Sequence, residues 1–350
     1  MNATDFLTRA TNAKASDIFI VAGRPLSYRI NGALHSEGER LMPANTEALI
    51  RDIYSLAGNR PIRHFLECGD DDFSFAIPGL SRYRVSTYKQ RGSLAAVIRI
   101  IAFELPNPKE LGIPASVLQL TALTKGLVLV TGPAGSGKST TLACLVDQIN
   151  SSRQDHIITL EDPLEFLHRH KLGIVSQREI STDTDNYLTA LRAALRQSPD
   201  VILLGEMRDH ETIQTAMTAA ETGHLVLSSL HTIGAANTIS RIIDVFEPSQ
   251  QHQIAVQLSM VLRAVISQQL VPATDGSRIP AFEIMIMTPA ISNMIRDNKT
   301  HQIEGIIYTS AKEDMLSMDN SLLQLYRAGK ITGETALQYS TNPEILRKKL

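Results

Sequence analysis

The spacing of apolar and polar positions changes once along the chain, between residues 102 and 115. Before that point the pattern alternates. Ser16–Val21 and Leu26–Ile30 are short apolar runs that read as strands, and Asn31-Gly32 follows them. Both residues of that pair tolerate positive φ, which makes the dipeptide a hairpin turn. Asn45 is a candidate N-cap for a helix in which Leu49, Ile50, Ile53 and Leu56 recur at helical spacing. Phe73 and Phe75 alternate with polar neighbours, and Arg82–Tyr88 and Ser93–Ile101 continue the strand pattern. Residues 1–102 are therefore expected to form a small α+β domain.

Residues 103–114 (FELPNPKELGIP) contain three prolines. Proline fixes φ and removes a donor, so this stretch is expected to be a semi-rigid connector. Residues 115–350 then alternate short apolar strands with amphipathic helices, the signature of a mostly parallel sheet covered by helices. The expected strands are Leu127–Thr131, Ile157–Leu160, Gly173–Ser176, Val201–Leu204 and Leu225–Leu230, followed by Ala264–Val271 and Arg278–Met287 around a Thr274-Asp275-Gly276 turn. Between them, Ile254, Leu258, Val261, Leu262 and Val265 form one apolar helical face, read as core rather than membrane surface. The tail reads as three helices: Met318–Ala328 closed by Gly329, one after Thr332, and one opened by Asn342-Pro343.

Composition narrows the function classes. Hydrophobic residues make up 43% and charged residues 20%, which excludes a disordered chain. Thirty-four basic and 36 acidic side chains leave a formal charge of −2, so the net-basic footprint of a nucleic-acid binder is missing. Aromatics are 5% with no Trp, which speaks against stacking platforms for single strands. No apolar run reaches 18 residues and the start of the chain lacks the basic and apolar regions of a secretory signal. With only Cys68 and Cys144, neither a disulfide framework nor a four-cysteine zinc site is expected, and a reducing cytosol fits best.

The decisive segment is Gly132-Pro133-Ala134-Gly135-Ser136-Gly137-Lys138-Ser139-Thr140, placed between an apolar strand and a helical run. Glycines let the backbone curl so that its N–H groups converge on a phosphate, and a helix N-terminus adds partial positive charge there. Lys138 is positioned to reach the β- and γ-phosphates and the Ser139 hydroxyl to ligate Mg²⁺. Nucleoside triphosphate binding follows.

Hydrolysis needs carboxylates at neighbouring strand ends. Asp200–Glu206 (DVILLGE) is a buried-strand pattern that delivers Glu206, with Gly205 where many such motors carry Asp. A second strand, His156–Glu161, ends in Glu161 and Asp162 before Pro163. These are read either as solvated loop acids or as partners of Glu206, and the second reading is favoured beside a phosphate loop. His224 and His231 flank Leu225–Leu230. Seven residues apart, they fall on opposite faces of a flat strand, so no paired metal site is expected. One of them is a candidate sensor of the γ-phosphate; for His224 a semi-buried structural role weighs equally.

Four ordered runs carry a resemblance: Gly126–Ala143 (GLVLVTGPAGSGKSTTLA), Ile158–Phe166 (ITLEDPLEF), Asp200–Asp209 (DVILLGEMRD) and Ala219–Thr232 (AAETGHLVLSSLHT). They resemble the Walker A, Asp box, Walker B and His box of the secretion ATPase superfamily, and most of all its PilT-type twitching-motility ATPases. Ala15–Pro25 and Arg82–Gly92 also resemble that family's first domain, so the likeness covers nearly the whole chain. The resemblance implies an α/β fold with a RecA-like P-loop core after a small PAS-like domain, six chains in a ring, and ATP with Mg²⁺ as substrate and ion. It implies Glu206 and Glu161 as the catalytic pair, Glu206 on the water and Glu161 through the metal shell, with His224 and His231 as the His-box pair. It further implies arginines acting on a neighbour's nucleotide: Arg82, Arg84, Arg91 or Arg99 from the first domain, or Arg241 from the core. Singly, each of these also reads as ordinary surface charge. Ala290–Asp297 (AISNMIRD) differs at three of eight positions from the family's helical motif AIRNLIRE, and Ser292 removes a charge. That departure bears on the coupling step or the partner rather than on hydrolysis.

The function implied is a hexameric ATPase driving type IV pilus retraction, docked on an inner-membrane platform protein at the cytoplasmic face. An accessory retraction ATPase and a type IV secretion or conjugation motor stay open. A RecA-like nucleic-acid motor and a non-hydrolysing nucleotide-binding scaffold are readings from other classes. An assembly motor is disfavoured, because no cysteine follows Cys144 to build that group's four-cysteine zinc element.

Overall fold

A computed structural model of the chain describes residues 2–30, 32–101, 105–207, 209–310 and 314–350. Asn31 of the expected turn, residues 103–104 of the connector and Arg208 lie outside the described residues. The chain divides into two compact units, one of Met1–Glu104 with Glu165–Leu167, the other of Leu105–Leu164 with His168–Leu350.

The first unit holds strands β1 (Asp17–Ile20), β2 (Leu26–Ile30), β3 (Ala33–Glu37), β4 (Asp70–Ile77), β5 (Ser81–Gln90) and β6 (Ser93–Ile101), with helices α1 (Ala3–Asn12), α2 (Pro43–Leu56) and α3 (Arg63–Cys68). Its sheet runs β3-β2-β1-β6-β5-β4, and every neighbouring pair is antiparallel. Alternation therefore places one face in a core: Ile18, Ile20, Tyr83, Val85 and Ile98 pack with Phe6 and Leu7 of α1 and with Ile50 and Ile53 of α2. Asn45 is not the N-cap of α2. Pro43 takes the first helical position, where its missing N–H costs nothing, and Asn45 sits two residues further in, its Oδ1 accepting the Met42 N–H at 2.9 Å.

The second unit is a seven-stranded sheet in the order β13-β12-β7-β11-β10-β8-β9. Its strands are β7 (Gly126–Thr131), β8 (His156–Glu161), β9 (Ile174–Glu179), β10 (Val201–Leu204), β11 (Leu225–Leu230), β12 (Leu262–Pro272) and β13 (Arg278–Ile286). All pairs are parallel except β12–β13. Helices α4 (Ala115–Gln119), α5 (Lys138–Ser152), α6 (Tyr187–Ala194), α7 (His210–Glu221), α8 (Ala235–Asp244), α9 (Pro248–Val261), α10 (Pro289–Arg296) and α11 (Ile303–Thr309) surround it, followed by α12 (Met318–Arg327), α13 (Gly333–Tyr339) and α14 (Pro343–Arg347). The central strands are covered on both faces, which is why they read as unbroken apolar runs. Leu127 and Leu129 enter the layer formed with α6 to α9, while Val128 and Val130 enter the layer under α5.

The apolar stretch expected as one helix breaks in two. α9 stops at Val261, and Leu262 and Val265 belong to β12, all of them buried. Both structures bury the same residues, so periodicity alone does not mark the switch. In α10, Ile291 and Ile295 are buried, and the Ser292 hydroxyl donates to the Ser259 carbonyl of α9 at 3.0 Å.

Candidate active site

In an open parallel sheet the loops after the C-terminal strand ends form the natural ligand crevice. Here four such ends converge. The loop after β7 is turned by three glycines in the positive-φ region, Gly132, Gly135 and Gly137, at 140°, 74° and 88°. At Gly132 the requirement is also steric, because a Cβ there would stand 2.1 Å from the Gln268 carbonyl oxygen. Lys138 opens α5 and is almost wholly buried, and its ammonium donates to the carbonyls of Gly132 (2.9 Å) and Pro133 (3.0 Å). Those bonds hold the lysine against the loop. Ser139 and Thr140 follow in the first turn, and Ala134 lies in the loop between the glycines. Ser136 Oγ and, at the end of β7, Thr131 Oγ1 are buried hydroxyls without a hydrogen-bond partner among the described residues. Unpaired buried polar atoms are rare, and beside a phosphate loop they leave room for a water, ion or ligand partner.

β10 ends one residue before Gly205, whose N–H donates to Leu160 of β8 at 2.8 Å. A Cβ on Gly205 would meet the Tyr187 hydroxyl at 2.9 Å and the Leu160 carbonyl at 3.2 Å. A glycine stands there because the ends of β8 and β10 approach too closely for a side chain. Glu206 follows with its carboxylate largely buried, and its Oε2 lies 3.4 Å from His231 Nε2 at the end of β11. Arg241 of α8 lines the same cavity of about 330 Å³ as Glu206, His231 and Thr232. Glu161 ends β8, and its Oε1 accepts from Thr159 Oγ1 at 2.6 Å and from Gln177 Nε2 at 3.4 Å.

His224 is not brought to this edge. It precedes β11, and its Nδ1–H donates to the Ala219 carbonyl at 2.9 Å, in the last turn of α7. Six strand residues separate it from His231, on the order of 20 Å along an extended strand. A carbonyl at a helix C-terminus lacks an intrahelical partner, and His224 supplies one. The remaining candidate arginines belong to the first unit. Arg82 and Arg84 alternate with the buried Tyr83 and Val85, so they point away from that core. Arg84 stands opposite Arg99, whose Nε donates to Asp17 at 3.2 Å, and Arg91 is exposed in the β5–β6 turn.

Three residues at the site were not indicated by the sequence. Gln177 on β9 accepts the His168 N–H at 2.7 Å and donates to Glu161. Glu283 on β13 is buried and accepts the Ala235 N–H at 2.7 Å, fixing the start of α8 directly after the His231 loop. Burial pushes its carboxyl above the ordinary value. Gln268 on β12 accepts from Thr141 Oγ1 of α5 at 2.7 Å. Glu283 is flanked by apolar residues in its strand, whereas Gln177 and Gln268 sit among other polar residues of β9 and β12.

Among the described residues, no group of three or more His, Cys, Asp or Glu side chains is arranged to hold a metal. The donor set nevertheless fits Mg²⁺ beside a triphosphate, because that ion takes one or two protein oxygens and completes its shell from phosphate and water. Among the described residues, no helix is long and apolar enough to cross a membrane.

A family model described as Type II/IV secretion system protein matches residues 2–305. The chain is 42% identical over 344 residues to the type IV pilus retraction ATPase PilT of Pseudomonas aeruginosa, covering 98% of this chain and 99% of that one. It is 46% identical over 274 residues to the twitching motility protein of Neisseria gonorrhoeae, covering 78% and 73%. The crystal structure of the pilus retraction motor PilT with bound ADP superposes with a TM-score of 0.91 at 43% identity, covering 99% of both chains.

Proposed function

From a chain that belongs to the Type II/IV secretion system protein family, we infer an ATPase with a RecA-like α/β core that powers type IV pilus retraction as a Mg²⁺-dependent homohexamer. The observation that carries hydrolysis is the pairing at adjoining strand ends of a phosphate loop with an oriented acid, Glu206 at 3.4 Å from His231. Glu206 orients the attacking water, and His231 holds that carboxylate while sensing the terminal phosphate. Lys138 supplies positive charge to the β- and γ-phosphates. Ser139 and Glu161 are the residues that would hold Mg²⁺, which when bound neutralises charge on those phosphates. Glu161 is kept in place by Thr159 and Gln177. Arg241 is the core arginine facing the γ-phosphate side, and Arg82, Arg84, Arg91 and Arg99 are candidates to act on a neighbouring subunit's nucleotide.

Retraction, rather than another role within the family, is supported by identity to a retraction ATPase along almost the full length of both chains. The reading places the ring at the cytoplasmic face of the inner membrane, on the pilus platform protein. Steady-state phosphate release by the purified chain, with Lys138→Ala and Glu206→Gln beside it, tests the enzyme. Equal release by all three proteins defeats it. Deletion in the native cell tests the cellular role. Surface pili retained or in excess, with motility lost, support retraction. Bald cells point to assembly, and unaltered pili with normal motility point to a secretion motor.

A further inference from the structure

Strand order gives the phosphate loop two unequal sides. β11, β10 and β8 lie on one side of β7 and carry His231, Glu206 and Glu161 at their ends. β12 lies on the other. A nucleotide whose terminal phosphate faces the acids must extend its other end over β12. A cavity of about 590 Å³ lies there, lined at one end by Gly137, Thr141 and Gln268 and at the other by the connector around Gly112 and the β12–β13 turn around Asp275. That volume lies within the range of small-ligand sites.

Gln268 is 4% exposed and sits between this cavity and the loop. Its Oε1 is held by Thr141 at 2.7 Å. Its Nε2 stands 2.8 Å from where a Cβ on Gly137 would be, so the carboxamide packs against the loop's last glycine. Nε2 has no acceptor among the described residues, yet it carries two N–H groups. With the oxygen bonded to Thr141, Nε2 lies on the Gly137 side of the carboxamide.

We propose that Gln268 is a specificity-determining residue of the nucleotide site: its carboxamide, held by Thr141, donates to the nucleoside half of the bound nucleotide. The proposal rests on nucleotide binding at the phosphate loop and names which end of the ligand β12 reads. Pyrophosphate, which has the phosphates and no nucleoside, separates this role from one of merely shaping the loop.

Calorimetric titration of the full chain with Mg²⁺, using ADP and then pyrophosphate, decides it. Gln268→Met keeps the bulk and removes the donors. ADP affinity is expected to fall by about tenfold, with pyrophosphate affinity unchanged. Thr141→Val unlocks the carboxamide and should give the same split more weakly, and Thr141→Ser should restore ADP affinity. The Thr141 pair keeps the test decisive if the Gln268 variant melts early. An equal fall for both ligands, or ADP affinity unchanged in every variant, overturns the proposal while nucleotide binding stands. No uptake of either ligand by the unaltered chain overturns the nucleotide reading itself.

Discussion

The polar groups of the two units are organised in opposite ways. In the first unit the groups around Asp71 and Asp17 close on one another. Asp71 accepts from Arg60 at 2.9 and 3.0 Å and from the Tyr54 hydroxyl at 2.9 Å, and that hydroxyl also meets Thr87 at 3.0 Å. Asp17 is shared between Arg29 and Arg99 across three neighbouring strands. In the second unit, polar groups collect along the C-terminal strand ends, and not all of them close. Ser136 and Thr131 keep unpaired hydroxyls, and Glu283 meets backbone N–H groups where Asp71 meets a guanidinium. A buried polar cluster that satisfies itself serves the fold, because each unmade bond there is pure cost. One that leaves buried groups unpaired beside a phosphate loop leaves room for a further partner. The Asp71 cluster is therefore expected to carry stability and the Glu206–His231 pair turnover.

The largest expected departure is at the open cluster. Glu206→Gln keeps the volume and removes the acid beside His231. Phosphate release should fall by about 10²–10⁴-fold, with the unfolding midpoint unmoved. A variant that turns over normally, or that chiefly unfolds, would erase the distinction between the two kinds of cluster.

The closed cluster should answer the other way. Asp71→Ala leaves Arg60 and Tyr54 without their acceptor, and urea unfolding followed by circular dichroism should show a loss of about 2–4 kcal/mol. Burial alone would raise the Asp71 carboxyl, but the bonds from Arg60 and Tyr54 outweigh it and hold the group below its ordinary value. Its contribution is thus complete above the ordinary aspartate range near pH ~3.9 and is lost as pH falls through the lower folded value. The acid limb of the stability curve should flatten in the variant. Phosphate release per folded molecule should not change, and a large fall would join this cluster to the catalytic one.

How much of this was readable from the chain follows from the same physics. The second unit's central strands appeared as apolar runs because helices cover both sheet faces, and the phosphate loop announced itself through glycine spacing. β3 was announced only by the Asn31-Gly32 pair before it, since all five of its residues are exposed and no alternation is imposed on them. α1 has a buried face in Phe6, Leu7 and Ala10, too short a stripe to stand out. The missing site residues share one cause. Gln268 meets Thr141 across 127 positions, Glu283 meets Ala235 across 48, and Gln177 meets Glu161 across 16. Each meeting is made by strand order, which local spacing does not encode. Conversely, the motif that paired His224 with His231 is contiguous in sequence, yet the strand between them carries the two to different ends of the sheet.

Gly205 sharpens the contrast at intermediate size, because it serves both fold and site. Its absent Cβ lets the β8 and β10 ends close, and Gly205→Ala forces the Tyr187 hydroxyl or the Leu160 carbonyl to move. A loss of about 1–3 kcal/mol is expected, together with about a tenfold fall in phosphate release as Glu206 shifts. Stability lost with turnover intact would show that the strand ends have slack, and that the approach of Glu161 and Glu206 is not set by this glycine.

The smallest effect belongs to His224, and it is the most telling about motif reading. The side chain donates to the Ala219 carbonyl, and its backbone N–H goes to the same oxygen at 3.2 Å, so it closes the α7–β11 turn. His224→Ala removes one of these two bonds and should cost about 1 kcal/mol. Phosphate release by the purified chain should be unchanged, whereas His231→Ala, which removes the partner of Glu206, should depress it. If the two alanine variants lose turnover equally, the far end of β11 is coupled to the phosphate edge through the strand itself. The division between self-satisfied and ligand-facing polar groups would then fail inside the second unit as well.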